Sequence, residues 1–267
     1  MIKTLILGII QGLTEFLPVS SSGHLVLAQH FLNKGAISPD LSLEIFLHFG
    51  SLIAVLIYFY KDILELCISC FKWDKSEKTK SLHKQVYFII AATFITGIIG
   101  ILFEDFIEAL FSKALVVAFL LIVTGIILFI SDKLKAGKLK IEELGFFKAI
   151  FIGLGQAIAI APGISRSGTT IVFSLFTGLK RDEAAKFSFI LSIPVILGAN
   201  LLKIKDLLAL DSSVLLNYCV GFIGAFVSGL LVIGLLLKMI KNAQLKYFAY
   251  YCWLVSLITV ILIIHGL

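Results

Sequence analysis

Charge is scarce in this chain. Only 15% of its 267 residues are Asp, Glu, Lys or Arg, while 59% are hydrophobic; an ordinary soluble domain carries about 25% charged residues. The shortage excludes a soluble globular domain and reads as a polytopic helical membrane protein. A spanning helix needs roughly 20 apolar residues, so this length holds six or seven with short loops. Cysteine is also sparse, at four residues. Cys67 and Cys70 form a C-x-x-C, but no second pair or histidine-rich partner accompanies them, so buried or interfacial free thiols are expected. His30, His48, His83 and His265 show no ligand spacing such as H-E-x-x-H; His83 reads as solvated in a basic loop, and His48, inside a span, could support a site from behind. No signal-peptide cleavage site is expected, because Met1 opens directly into apolar sequence that soon carries Glu15. The net charge of +6 is mostly a loop property, read as membrane orientation and not as nucleic-acid binding.

What the chain does have is a set of long apolar runs and two polar interruptions. Full spans are expected at about 43–60, 86–103, 114–131, 187–203, 214–237 and 247–265. Residues 2–17 would make a helix only about 24 Å long, short of the roughly 30 Å hydrocarbon core, before Pro18 and three serines stop it. A second apolar piece, 25–32, follows. Segment 1–32 therefore reads as a re-entrant helix–loop–helix, and 146–179, interrupted at Ala161-Pro162-Gly163, as another. Polar backbone at such depth is tolerated only where protein or an aqueous cavity covers it. At an offset of 145, Gly8, Gln11, Ser20, Ser22 and Gly23 align with Gly153, Gln156, Ser165, Ser167 and Gly168. The expectation is one membrane domain, 1–267, built from two repeats, 1–131 and 146–267. Threading the spans places 17 of the 23 basic residues in the loops of one side and five, Lys3, Lys34, Lys113, Lys203 and Lys205, on the other. Positive-inside bias makes the first side cytoplasmic and the repeat inverted in topology. Interrupted helices at matching positions of two halves point to a site near the membrane midplane.

The interruptions carry the chemistry. Gln11 and Glu15 are four apart and share a helix face, and Gly8 and Gly12 on the same stripe allow close approach by another element. Glu15 could serve a buried cation for structure alone, but the hydroxyls and imidazole that follow argue for proton transfer, and apolar surroundings would suit it to that near neutral pH. One of Ser20, Ser21 and Ser22 could cap the next helix; a cap does not explain three beside a glutamate. With Gly23 they form a turn whose N–H groups can bind an anion, and His24 sits in the first turn beyond. The second interruption supplies the cation. Only two of the 23 basic residues are arginines, and Arg166 lies between Ser165 and Ser167. Its guanidinium offers a planar fork that matches phosphate oxygens. A permanent Arg166–Glu15 ion pair is the plainer alternative, and a substrate phosphate could bridge such a pair.

Together, Gln11-Gly12-Leu13-Thr14-Glu15-Phe16-Leu17-Pro18-Val19-Ser20-Ser21-Ser22-Gly23-His24 and Pro162-Gly163-Ile164-Ser165-Arg166-Ser167-Gly168-Thr169-Thr170 resemble the undecaprenyl-diphosphate phosphatase family of bacteria, the bacitracin-resistance type. The resemblance extends over essentially the whole chain. It implies an all-α multi-pass enzyme of the plasma (inner) membrane that hydrolyses undecaprenyl diphosphate to the monophosphate and inorganic phosphate, recycling the lipid carrier of peptidoglycan synthesis, with an active site open to the outer face. It implies catalytic roles for Glu15, Ser21, His24 and Arg166, and substrate binding by Gln11, Ser20, Ser22, Gly23, Ser165, Ser167, Gly168 and Thr170. Where many members have a second glutamate this chain has Gln11, which cannot act as a base; the burden shifts to Glu15 and His24. The implied partners are the prenyl diphosphate lipid and the bilayer, with a homodimer left open; no cofactor is expected to bind tightly, and a divalent cation, Mg2+ or Ca2+, could accompany the diphosphate. A secondary transporter or flippase is the alternative, since broken helices in repeats are also a transporter architecture.

Overall fold

Hydropathy alone dictates long helices here, because lipid leaves no other way to satisfy the backbone of an open chain. The structure, a computed structural model, describes residues 1–33, 40–134, 137–208, 210–241 and 245–266. Lys34 and Lys135, counted above, lie outside them. Among the described residues it is all-helical, with no strand beyond an isolated bridge between Leu139 and Leu179.

The first half of the chain gives α1 (Ile2–Phe16), α2 (Ser21–Leu32), α3 (Leu41–Tyr58), α4 (Tyr60–Ser69), α5 (Glu77–Leu102), α6 (Glu104–Phe111) and α7 (Ala114–Ser131). The second gives α8 (Phe146–Ile158), α9 (Arg166–Phe176), α10 (Arg181–Leu202), α11 (Ile204–Leu208), α12 (Ser212–Lys241) and α13 (Leu245–Ile264). Six of these, α3, α5, α7, α10, α12 and α13, are long and apolar enough to cross a membrane. They match the six expected spans. The largest difference is at α5, whose N-terminal turns run through the polar stretch from Glu77 to Gln85 before apolar sequence begins. α1, α2, α8 and α9 are shorter, between 11 and 15 residues, and each pair is joined by one of the two polar interruptions.

The short helices pack crosswise between the halves. α1 lies mainly against α12, and α8 against α5. The glycines explain how close α1 comes: a Cβ on Gly8 would strike the carbonyl oxygen of Gly221, and one on Gly12 that of Ala225. The close approach expected from their stripe is thus made to α12. On the basic side, the Asp132 carboxylate at the end of α7 accepts from the N–H groups of Leu245 and Lys246 at 3.2 and 3.0 Å, fixing the start of α13. The main core runs through the bundle, with Phe16 and Phe189 meeting in it edge to face at 5.8 Å, and a smaller second cluster gathers Leu7, Leu25, Leu43, Leu47 and Tyr218. This packing brings the end of α1, the start of α2 and the start of α9 together.

Candidate active site

The first interruption is a tight turn held by its own serine. Pro18 cannot continue α1, and Ser20 turns the chain with φ +70, the only non-glycine in the left-handed region among the described residues. Its Oγ accepts from Gly23 N at 3.2 Å, capping α2. The same Oγ accepts from Gly163 N at 3.1 Å, across to the second interruption. Gly163 itself has φ +100, and a Cβ there would come within 2.6 Å of the Val117 carbonyl oxygen. Thr124 of α7 donates to Gly163 O at 2.7 Å and accepts from Ser165 N at 3.0 Å. Each loop is therefore built partly from the other half of the chain.

Strain at Ser20 is useful because it starts α2 with Ser21 aimed at α1. Glu15, 6% exposed, collects donors on both carboxylate oxygens. Oε2 accepts from Ser21 Oγ at 2.6 Å and from Gln11 Nε2 at 2.9 Å, with His48 Nε2 of α3 at 3.4 Å. Oε1 accepts from Arg166 Nη2 at 2.5 Å. Arg166 is the first residue of α9, capped by Ser165, whose Oγ accepts from Gly168 N at 3.1 Å. Its other terminal nitrogen, Nη1, donates to Ser188 O of α10 at 3.3 Å. The apolar surroundings expected of Glu15 are thus replaced by a ring of polar partners. A buried ion pair is stable only when its remaining lone pairs and protons are satisfied in this way.

A cavity of about 260 Å3 opens above this pair. Glu15, Ser20, Ser21, Ser22, Ser165 and Arg166 line its floor. Its walls are largely apolar, with Ile45, Ile160, Val195 and Ile196 among them, and Glu108, Asn200 and Lys203 stand at its rim. Between Ser188 and Lys203, α10 rises about 22 Å, so the floor lies deep within the bundle. At the rim Lys203 is paired with Glu108 at 2.9 Å and Glu104 at 3.2 Å.

The remaining expected residues sit outside the lining. Gln11, fully buried, braces Glu15 from below. Gly23 and Gly168 provide room: a Cβ on Gly23 would lie 3.0 Å from Gly163 Cα, and one on Gly168 3.2 Å from Pro18 Cβ. Ser167 donates to Leu17 O at 3.1 Å, tying the loops, and Thr170 bonds Arg166 O at 2.7 Å and Ser188 Oγ at 2.6 Å, fixing the first turn of α9. His24 points away from Glu15. Its Nδ1 is 2.8 Å from Ser20 O, and its Nε2 is 2.9 Å from Tyr251 Oη on α13, with the two rings stacked. His48, given little weight in the sequence, lines the cavity instead, together with Glu44 one turn away. Nothing local marked His48; it reaches the site because α3 packs on α1.

No group of three or more His, Cys, Asp or Glu side chains able to hold a metal ion forms among the described residues. Both carboxylate oxygens of Glu15 accept from protein donors.

Comparison with known proteins identifies relatives along nearly the full length. A family model described as bacitracin resistance protein BacA matches residues 4–258. A protein of Methanobrevibacter smithii named undecaprenyl-diphosphatase is 46% identical over 96% of this chain and 95% of its own length. One of Halothermothrix orenii with the same name is 46% identical over 97% of both. A third, undecaprenyl-diphosphatase 1 of Shouchella clausii, is 38% identical over 98% of this chain and 96% of its own.

Proposed function

The chain belongs to the bacitracin resistance protein BacA family, and from that premise and the site geometry we propose that it hydrolyses undecaprenyl diphosphate to undecaprenyl phosphate and inorganic phosphate. It is a multi-pass membrane phosphatase of a lipid substrate. The observation that carries the reading is the division of labour on Glu15: one carboxylate oxygen holds Ser21 and the other holds Arg166. That arrangement activates a nucleophile beside a phosphate-binding fork.

In this reading the diphosphate enters the cavity with its terminal phosphoryl group on the floor. Ser21 Oγ attacks that phosphorus and its proton passes to Glu15 Oε2. The bond to the bridging oxygen breaks, and the lipid phosphate leaves with the electron pair. Glu15 gives up that proton before water attacks the phosphoserine; a proton of the water then passes through Glu15 to Ser21 Oγ as the Ser21–phosphorus bond breaks and inorganic phosphate is released. Transfers of this kind depend mostly on position and charge stabilisation; Arg166 supplies the charge, and the N–H groups at the starts of α2 and α9 add dipoles of the same sign. Ser20, Ser22 and Ser165 complete the floor. Gln11, Gly23, Ser167, Gly168 and Thr170 hold its shape, and His24 anchors the carbonyl of the turn that carries Ser21. The apolar walls suit the first isoprenoid units of the tail. Any Mg2+ or Ca2+ in the reaction would arrive on the diphosphate.

Placement in the plasma membrane with the site facing outward is part of the same proposal. Its support is the rim: Glu108 and Lys203 stand at the helix ends nearest Lys113 and Lys205, on the side poor in basic residues. The crossed packing of α1 on α12 and α8 on α5 supports two repeats whose short helices dip from opposite faces. A homodimer would leave this site intact, since one chain supplies all of its residues.

Phosphate release from prenyl diphosphate by purified protein in detergent tests the proposal. The wild type should release it, and Glu15→Ala and Ser21→Ala should fall by orders of magnitude. Movement of intact lipid diphosphate between leaflets with no phosphate released would favour the transporter reading instead.

A further inference from the structure

Four side chains surround the Glu15 carboxylate, and only one of them offers a ring nitrogen that can both take and give a proton. Gln11 has no ionisable group, the Arg166 guanidinium does not deprotonate in a protein, and Ser21 is the attacking hydroxyl. The fourth is His48, whose Nε2 lies 3.4 Å from Glu15 Oε2. That is the same oxygen that accepts from Ser21. The other ring nitrogen is already committed: Nδ1 lies 2.7 Å from the backbone carbonyl oxygen of Glu44, one turn back in α3. A carbonyl can only accept, so Nδ1 carries a hydrogen and Nε2 keeps the lone pair that can take a proton. That commitment leaves Nε2 as the free nitrogen, 3.4 Å from the oxygen that must shed a proton in every cycle, and His48 lines the cavity where the substrate sits.

We infer that His48 is a proton-transfer residue of the phosphatase reaction, taking from Glu15 Oε2 the proton that Ser21 gives up and delivering it to the departing lipid phosphate. The inference rests on the reading of Ser21 and Glu15 above. The step balances. Ser21 O–H breaks as the Ser21–phosphorus bond forms; the proton passes to Oε2, then to Nε2, then to the phosphate released by cleavage of the anhydride. Glu15 returns to the carboxylate and His48 to the neutral ring, ready for water to attack the phosphoserine. The charged and titratable groups that line the cavity with His48 are Glu15 from α1, Arg166 from α9, Glu44 on its own helix, and Lys203 and Glu108; α12, packed on α3, carries Tyr218, bonded to Asp40 at 2.6 Å, and Cys219. None of the others has both a proton-accepting nitrogen and contact with Oε2.

The test compares the pH dependence of phosphate release by wild type, His48→Gln and His48→Asn, with undecaprenyl diphosphate in detergent. General acid–base transfer contributes about 10²–10⁴-fold. Both variants should lose at least about tenfold in kcat with KM changed less than about threefold, and the acid limb of the wild-type profile between about pH 5 and 8 should flatten. A retained acid limb in a slowed variant would mean a structural role and overturn the inference, as would full activity in either variant. If neither variant purifies folded, the wild type still decides: a flat profile across that range overturns the inference, and a single ionisation there supports it. Phosphate release by the wild type that Ser21→Ala abolishes, with His48→Gln unaffected, would sink this inference alone; no release by the wild type would sink the underlying reading with it.

Discussion

Replacing Arg166 by lysine would keep a positive charge over Glu15 and remove the planar fork. Arg166 reaches two fixed acceptors at once, Glu15 Oε1 at 2.5 Å through Nη2 and Ser188 O at 3.3 Å through Nη1. It thereby stands at the cavity floor with its remaining donors free to meet a phosphate. A lysine ammonium is a compact point charge and cannot span both acceptors. It would stay with the buried Glu15, and the transferring phosphoryl group would lose a donor fixed in place before the reaction. Loss of one such donor costs about 10²–10³ in kcat, or about 2.7–4 kcal/mol. The resting pair survives, so thermal stability should change little. Arg166→Ala is different: it strands a carboxylate that is 6% exposed, and breaking a buried pair costs about 3–5 kcal/mol. The assay is initial-rate phosphate release over a range of lipid diphosphate concentrations, alongside melting of each variant in the same detergent. The lysine variant should be stable and at least about 100-fold slow, and the alanine variant both slow and less stable. Near-normal turnover in Arg166→Lys would refute the claim that the geometry of the fork matters.

Further outcomes follow from other contacts. Single-turnover quenching of the wild type should give labelled protein that survives acid and is lost in alkali, as phosphoserine does, and Ser21→Ala should give none; acid-labile label would point to a histidine instead. Ser20→Ala removes the acceptor shared by Gly23 N and Gly163 N; it should cost about 1–3 kcal/mol, read by melting, and slow turnover as well. Gly8→Ala places a methyl group against the backbone of Gly221 and should lower the melting temperature, by about 1–3 kcal/mol of stability, without a selective effect on KM. Glu15→Gln keeps much of the side chain's shape but cannot take a proton, so it should fold and release phosphate at a small fraction of the wild-type rate.

The long spans were legible because lipid imposes one rule on every residue that faces it. α7 was legible from end to end, since its apolar run and its helix coincide. α5 was not, because its first turns leave the hydrocarbon and hydropathy stops marking the helix there. α4, α6 and α11 were missed for a related reason: they are short helices at the ends of spans and too brief for a periodic signal. At the site, Glu15 and Arg166 stood out as opposite charges in apolar sequence, each needing a partner. Ser21 was named among three serines; the turn at Ser20 decides which of them meets Glu15. His24 looked adjacent to Glu15 along the chain, but its bond to the Ser20 carbonyl swings the ring toward Tyr251. His48 lay in a span with no motif around it, and its contact with Glu15 depends on a helix crossing that no local pattern encodes.

The Glu15–Arg166 pair joins residues 151 positions apart, and that separation bears on how the protein is made. α1, about 22 Å long at 1.5 Å per residue, is too short to span the bilayer and emerges from the ribosome with its carboxylate bare. Its guanidinium partner is synthesised only after three long apolar helices have been threaded, and α12, which covers its glycine face, comes later still. An unpaired charge near the bilayer centre costs roughly 2.5–3.5 kcal/mol even by insertion scales. The nascent amino terminus must therefore wait near water, or beside a helper, until the carboxyl half arrives to receive it.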